Sequence, residues 1–384
     1  MKAHDDGAAP HHPLPPMPEQ AWLELFYDLV FVAAIIVLSS AYSKDYSWAQ
    51  TAWLLVVFSL MWSTWLTTTL LLNRITLQGP WLRSLLVTQM FLVLMMAVFA
   101  DDHLLDHTEY VGPTFALILV VVALMYRAAL GHEPELQPFI GGRAGRCLLA
   151  AVLFSMTPVM GEWWYLGAWV AGLLLVVLPA RGSAHHARLD APHLVHRFGE
   201  FTIVMLGEGF VKIGLVATEE PLDRVDLIGL PLTFVLVYAI WWLYFTDIPR
   251  SGLPSGRGRR TTWMLGHFPM HLCITAFAVG MSKLLLPTAH ALGPKAVRFV
   301  TVPLTVIVLS LALLNWTMNT PGARRREVIH LYSSVALTAV WVVLYALDTH
   351  DLEATALLVT AVLAVSAWRI RRIPDAPGRR DDDP

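Results

Sequence analysis

Residues 24–32, Glu-Leu-Phe-Tyr-Asp-Leu-Val-Phe-Val, set two acids four apart at the opening of an apolar run that continues to Tyr42. About 20 consecutive apolar residues suffice for a helix to cross a bilayer. A run that is apolar on every side has no solvated face, so it reads as a membrane helix, with Glu24 and Asp28 sharing one side of it. Working outward, twelve such stretches recur: 22–42, 48–72, 82–100, 113–130, 147–160, 163–179, 198–217, 227–246, 262–286, 297–316, 329–347 and 352–370. The expected fold is an all-α integral membrane protein of about 12 transmembrane helices.

Composition agrees. Of 384 residues 56% are hydrophobic and only 15% charged, with a mean hydropathy of +0.57. Ordinary globular domains carry roughly 25% charged residues. The net charge of −2 gives no reason to expect a nucleic-acid partner. Cys147 and Cys273 each sit alone in an apolar run, which excludes a disulfide framework. Residues 1–20 hold five prolines with His4, His11 and His12 and read as a disordered tail. Residues 21–372 form the membrane domain and residues 373–384 a charged tail. The first apolar run reads as a retained anchor rather than a cleaved signal peptide.

Basic residues collect in cytoplasmic loops. With the N-terminus inside, 21 of the 27 Lys and Arg residues fall on the inner side, four on the outer side and two, Lys212 and Lys283, within helices. Both termini are therefore expected in the cytoplasm, with the chain in the plasma membrane. Two outer loops, Asp101–Glu109 and Glu219–Asp226, are acidic. An internal repeat also shows: Glu24-Leu-Phe-Tyr-Asp28-Leu matches His196-Arg-Phe-Gly-Glu200-Phe, and Trp62 with Trp65 matches Trp241 with Tyr244. Matches six helices apart suggest two parallel six-helix halves, about 21–190 and 191–372, as in some secondary transporters.

Charges within the membrane cost roughly 2.5–3.5 kcal/mol on insertion scales and mark functional candidates. Here they pair at helical spacing: Glu24 with Asp28, His196 with Glu200, Glu208 with Lys212, and His267 with His271. Competing readings make Glu24 and His196 interfacial anchors, Glu208 with Lys212 a structural pair, and His271 an interhelical hydrogen-bonding group. The ligand types of His267, His271, Asp28 and Glu200 also suit a divalent metal, although no His-Glu-x-x-His motif is present. Asp101, Asp102, His103, Asp106 and His107 offer metal-ligand types too, but an acidic outer loop explains them more simply. His11, His12, His185 and His186 read as solvated. Trp62, Trp65, Trp241, Trp242 and Tyr244 fall near helix middles, where they line a cavity or simply pack. Asp28 and Glu200, at equivalent repeat positions, are expected to face each other.

The stretches at 24–32 and 196–208, with Trp241-Trp242-Leu243-Tyr244-Phe245 and His267-Phe268-Pro269, resemble the signatures of the bacterial low temperature requirement protein A (LtrA) family over about residues 22–370. The chain departs from that family's Glu-Arg-Phe-Gly-Leu-Phe pattern: His196 replaces the Glu and Glu200 the Leu. The resemblance implies a multi-pass membrane protein and names no substrate. Three classes fit: a secondary transporter or flippase whose carboxylates carry protons, acting on a small or lipid-like molecule; an intramembrane, metal-dependent enzyme on a lipid-like substrate; and a non-catalytic stress protein. The buried acids favour the first, with no cofactor required.

The distribution of basic residues makes the topology testable. Reporter fusions after Asp106 and Glu220 should read outside, and fusions after Arg188, Arg257 and Arg325 inside. One reversal would break the twelve-crossing reading.

Overall fold

The computed structural model describes residues 19–44, 47–75, 79–101, 108–130, 137–159, 162–178, 189–219, 229–285, 294–347 and 352–373. The described chain is helical throughout. Its elements are α1 (Glu19–Lys44), α2 (Trp48–Leu72), α3 (Gly79–Asp101), α4 (Thr108–Leu130), α5 (Gln137–Ser155), α6 (Glu162–Val177), α7 (Ala191–Glu219), α8 (Gly229–Phe245), the single turn α9 (Ile248–Ser251), α10 (Arg257–Leu284), α11 (Pro294–Thr317), α12 (Ala323–Ala346) and α13 (Leu352–Arg371). A short 3-10 turn, Thr157–Val159, follows α5.

Among the described residues nine helices are long and apolar enough to cross a membrane: α1 to α4, α8 continued through α9, and α10 to α13. Three long helices fall outside that set. α6 has a short apolar stretch, Leu166–Val177, α5 carries Arg143 and Arg146, and α7 carries Arg197, Glu200, Glu208 and Lys212. The residues expected in the two tails, apart from Glu19, Gln20 and Ile373, lie outside the described residues. So do residues 102–107 and 220–226 of the acidic loops, and His185 and His186.

α2 is the central pillar. Of its most apolar 18 residues 83% are buried, against 28% for α12 at the periphery. From Leu60 to Leu72 every residue is buried. α2 packs on α1, α4, α6, α7 and α10; α7 packs on α1, α8 and α10; and α10 packs on α11. α1, α2, α7 and α10 thus meet around one axis, where the candidate polar residues lie.

Lipid tails are as apolar as leucine, so close approach rather than hydrophobic burial holds membrane helices together, and small residues mark the contacts. Gly280 of α10 is such a point: a Cβ there would stand 2.5 Å from the Phe299 carbonyl oxygen of α11. At Gly112 of α4 it would stand 2.9 Å from the Phe154 carbonyl oxygen. Backbone cannot yield as a side-chain tip can. Gly280→Val should therefore force α10 and α11 apart and destabilise the protein by about 1–3 kcal/mol, read as a lowered unfolding temperature in detergent. Gly214→Val, where nothing lies within 4 Å of the added Cβ, should leave it nearly unchanged.

Candidate functional site

α7 begins at Ala191, seven residues before the apolar run in its sequence, for a local reason. Asp190 caps its first turn, its Oδ1 accepting from the His193 amide at 3.0 Å. Asn73, at the end of α2, holds Asp190 twice. Its Oδ1 accepts from the Asp190 amide at 3.2 Å and its Nδ2 donates to the Asp190 carbonyl at 2.8 Å. This clamp sets the phase of α7, so that His193 and Arg197 turn toward α1.

Arg197 is the centre of the site. Its side chain is 1% exposed, and its guanidinium reaches Asp28 at 2.6 Å, Glu200 at 2.9 Å and Glu24 at 3.3 Å. Asp28 is wholly buried. It also accepts from the Trp65 indole at 2.8 Å, while Glu24 is held by His193 at 2.8 Å and by Gln20 at 2.7 Å. Asp28 and Glu200 are joined through this shared guanidinium. The planar fork of arginine permits this, since it offers five donors in fixed directions. His196, with a side chain 69% exposed, sits at the rim and pairs with Glu200 at 3.0 Å.

Next to this charge centre lies a neutral layer of rings. The Trp62 indole, a donor only, gives its hydrogen to His271 Nδ1 at 3.1 Å. His271 Nε2 must then carry the proton, and it donates to Thr202 Oγ1 at 2.9 Å while Thr202 donates to the Phe198 carbonyl at 2.7 Å. His267 has the opposite tautomer: Nδ1 donates to the Trp263 carbonyl at 2.8 Å and Nε2 accepts from the Tyr244 hydroxyl at 3.0 Å. Every ring nitrogen is thus in use. A metal on this pair would have to displace Trp62, Thr202, Tyr244 or the Trp263 carbonyl, and among the described residues no group of three or more His, Cys, Asp or Glu is arranged to hold one.

Farther along α7 stands a second acid. Glu208 is wholly buried; it accepts from Ser39 of α1 at 2.5 Å and lies 3.9 Å from Lys212. Thr275 of α10 borders the same carboxylate without a hydrogen bond of good geometry, and Glu208 Oε2 accepts none. Asp28 Oδ2 is in the same condition. Of the aromatic candidates, Trp62, Trp65 and Tyr244 are packed core residues that donate to the polar groups, Trp65 stacking on Phe201 at 4.2 Å. Trp242 is half-buried. Trp241, 38% exposed, lies on the periphery stacked on Tyr238.

A third polar centre carries no candidate from the sequence reading. Asp247, between α8 and α9, is bound by Arg326 at 2.6 Å and by Asn315 at 2.5 Å, with buried His330 at 3.6 Å. Asp247 has an apolar run behind it and proline ahead, so it reads as a loop residue. Hydropathy alone places Arg197 and Arg326 in loops, because it starts their helices at Phe198 and Ile329. α12 begins at Ala323. The signal that could have found Arg197 is Asp190-Ala-Pro192, an acid followed by proline in the first turn, which marks a helix start.

Removing one member of a buried ion pair leaves the other uncompensated and costs about 3–5 kcal/mol. Arg197→Met should destabilise by that order in detergent unfolding. Arg197→Met with Asp28→Leu should recover part of the loss. Arg197→Lys should rescue poorly, because one ammonium cannot span three carboxylates.

The chain is 25% identical over 366 residues to the uncharacterized protein RA0937 of Rhizobium meliloti (strain 1021), covering 89% of this chain and 87% of that one. No solved structure matches it. The family model described as bacterial low temperature requirement A protein (LtrA) matches residues 20–366, and the chain belongs to that family.

Proposed function

We propose that this protein is a proton-coupled secondary transporter or flippase of the plasma membrane, with twelve crossings, two parallel six-helix halves and both termini in the cytoplasm. The halves are supported by parallel packing patterns. α1 packs on α2 and α3, α3 on α4, α4 on α5, α5 on α6 and α6 on α2. α7 likewise packs on α8 and α10, α10 on α11, α11 on α12, α12 on α13 and α13 on α8. In this reading α5, α6 and α7 also span, and the charges of α7 are internal to the bundle.

The observation that carries the proposal is the length of the polar file. His193, Arg197, Thr202, Glu208 and Lys212 follow one another along 20 residues of α7, or roughly 28 Å from first to last at 1.5 Å per residue, close to the thickness of a hydrocarbon core of about 30 Å. α1 contributes Glu24, Asp28 and Ser39 to it, and α10 contributes His267, His271 and Thr275. The file is interrupted once. Between Asp28 and Ser39 the buried residues of α1 are Phe31, Val32, Ala34, Ile35 and Leu38, and between Thr202 and Glu208 those of α7 are Met205 and Leu206. Two acids, each with an unbonded oxygen, thus stand on either side of an apolar step. Alternating exposure of one acid and then the other would carry protons past that step.

Solid-supported-membrane recording tests the idea without a known substrate. A pH jump on proteoliposomes should displace charge as protons enter the buried acids. The transient should be lost in Glu208→Gln and kept in Glu327→Gln, whose acid pairs with Arg324 near the start of α12. No transient in the wild type, or one unchanged in Glu208→Gln, would sink the proposal.

A further inference from the structure

The polar file occupies one face of α10, and the neighbouring face forms part of a separate cleft. There Leu272, Cys273 and Ala276 help line a cavity of about 390 Å³ between α1, α2, α10 and α11. That volume lies within the range of small-molecule sites, roughly 300–1,000 Å³. The walls are almost wholly apolar.

Its two ends differ. One end lies at helix termini: Tyr42 two residues before the end of α1, Trp48 at the first residue of α2, and Arg298 in the first turns of α11. The slot then runs inward past Thr51 to Leu55, roughly 10 Å along α2 at 1.5 Å per residue. Ala52 and Ala276 keep it open from facing sides.

Arg298 is only half-buried, and its guanidinium lies 5.5 Å from the Trp48 ring centroid and 5.1 Å from that of Phe299. Among the described residues its neighbours are rings rather than carboxylates. Stacked arginine keeps its charge and its donor edge, so the fork remains available to a phosphate. Exposed Trp48 beside it is a residue type suited to the headgroup level of a bilayer. A cation at the helix ends and an apolar slot leading inward from it match the two parts of an anionic lipid.

We propose that this cleft is a specific site for one anionic phospholipid, with its phosphate on Arg298 and one acyl chain in the slot between α2 and α10. The site is independent of the transport reading, since it shares no residue with the polar file. It exceeds the general contact of any membrane protein with its lipid shell because one headgroup class is selected.

Native mass spectrometry of the full chain tests it, with phosphatidylglycerol and phosphatidylcholine of identical chains supplied at equal mole fraction. The wild type should retain one phosphatidylglycerol in preference to phosphatidylcholine. Arg298→Gln should bring the two to parity. Ala276→Trp, which fills the slot and spares the cation, should lose retained lipid of either kind; Ala52→Leu serves from the opposite wall if that variant fails to fold. Parity in the wild type overturns the proposal, as does a preference that survives Arg298→Gln. If Arg298→Gln removes the preference while the slot-filling variants still hold lipid, the cleft does not hold the acyl chain and the proposal fails.

Discussion

One buried guanidinium organises the centre of this bundle. Arg197 and Asp28 are both removed from solvent, and each alone would be costly to desolvate. Together, with Glu24 and Glu200 on the other edges of the fork, they form a four-member cluster linking α1 to α7. Trp65 of α2 donates to the same aspartate, so the central pillar is tied in as well. The cluster has direction as well as strength. Guanidinium geometry is planar and fixed, and it allows one rotation of α7 against α1. The Asn73–Asp190 clamp sets that same rotation independently.

From that rotation the other polar groups follow. Once Arg197 faces α1, Thr202 and Glu208 lie farther along α7 toward the same interior. Thr202 then meets His271, and Glu208 meets Ser39. The ring layer is neutral, with every nitrogen committed, and its aromatic neighbours shield it from lipid. Trp65 stands edge-on to Phe198 at 5.0 Å and Trp263 edge-on to His267 at 4.4 Å. Rigid polar networks of this kind hold one arrangement of helices, and the unbonded oxygens of Asp28 and Glu208 are, with Arg197 Nε, Trp263 Nε1 and Thr275 Oγ1, among the places where satisfaction is incomplete.

A separate ionic centre of Asp247, Arg326 and Asn315 joins the end of α8 to α11 and α12. Both clusters bind an aspartate to an arginine contributed by the opening turns of another helix. At the opposite ends of α1, α2 and α11 the cation Arg298 faces rings instead. Arginine therefore has two physical roles among the described residues: buried, as Arg197, it locks helices by its fork; half-buried, as Arg298, it lies against rings beside apolar surface.

Hydropathy alone pointed to a helical, membrane-embedded chain, because an apolar run long enough to cross a bilayer satisfies its own backbone hydrogen bonds there as a helix. Spacing alone placed Glu24 with Asp28, Glu208 with Lys212, and His267 with His271 on common helix faces, since a period of 3.6 is a property of the helix itself. Identity of the partners was a different matter. Arg197 lies outside the apolar run that announces α7, and what turns it inward is a capping contact from Asn73, more than a hundred residues earlier. The tautomers of the two histidines depend on Trp62, Thr202 and Tyr244, which come from three other helices. Sequence marked Glu24, Asp28, Glu208, His267 and His271 as polar groups set in apolar runs. Only the packing of α1, α2, α7, α8 and α10 decided what each was buried against, because hydrogen bonds and ion pairs are settled within about 3 Å, a distance that no single-helix periodicity encodes.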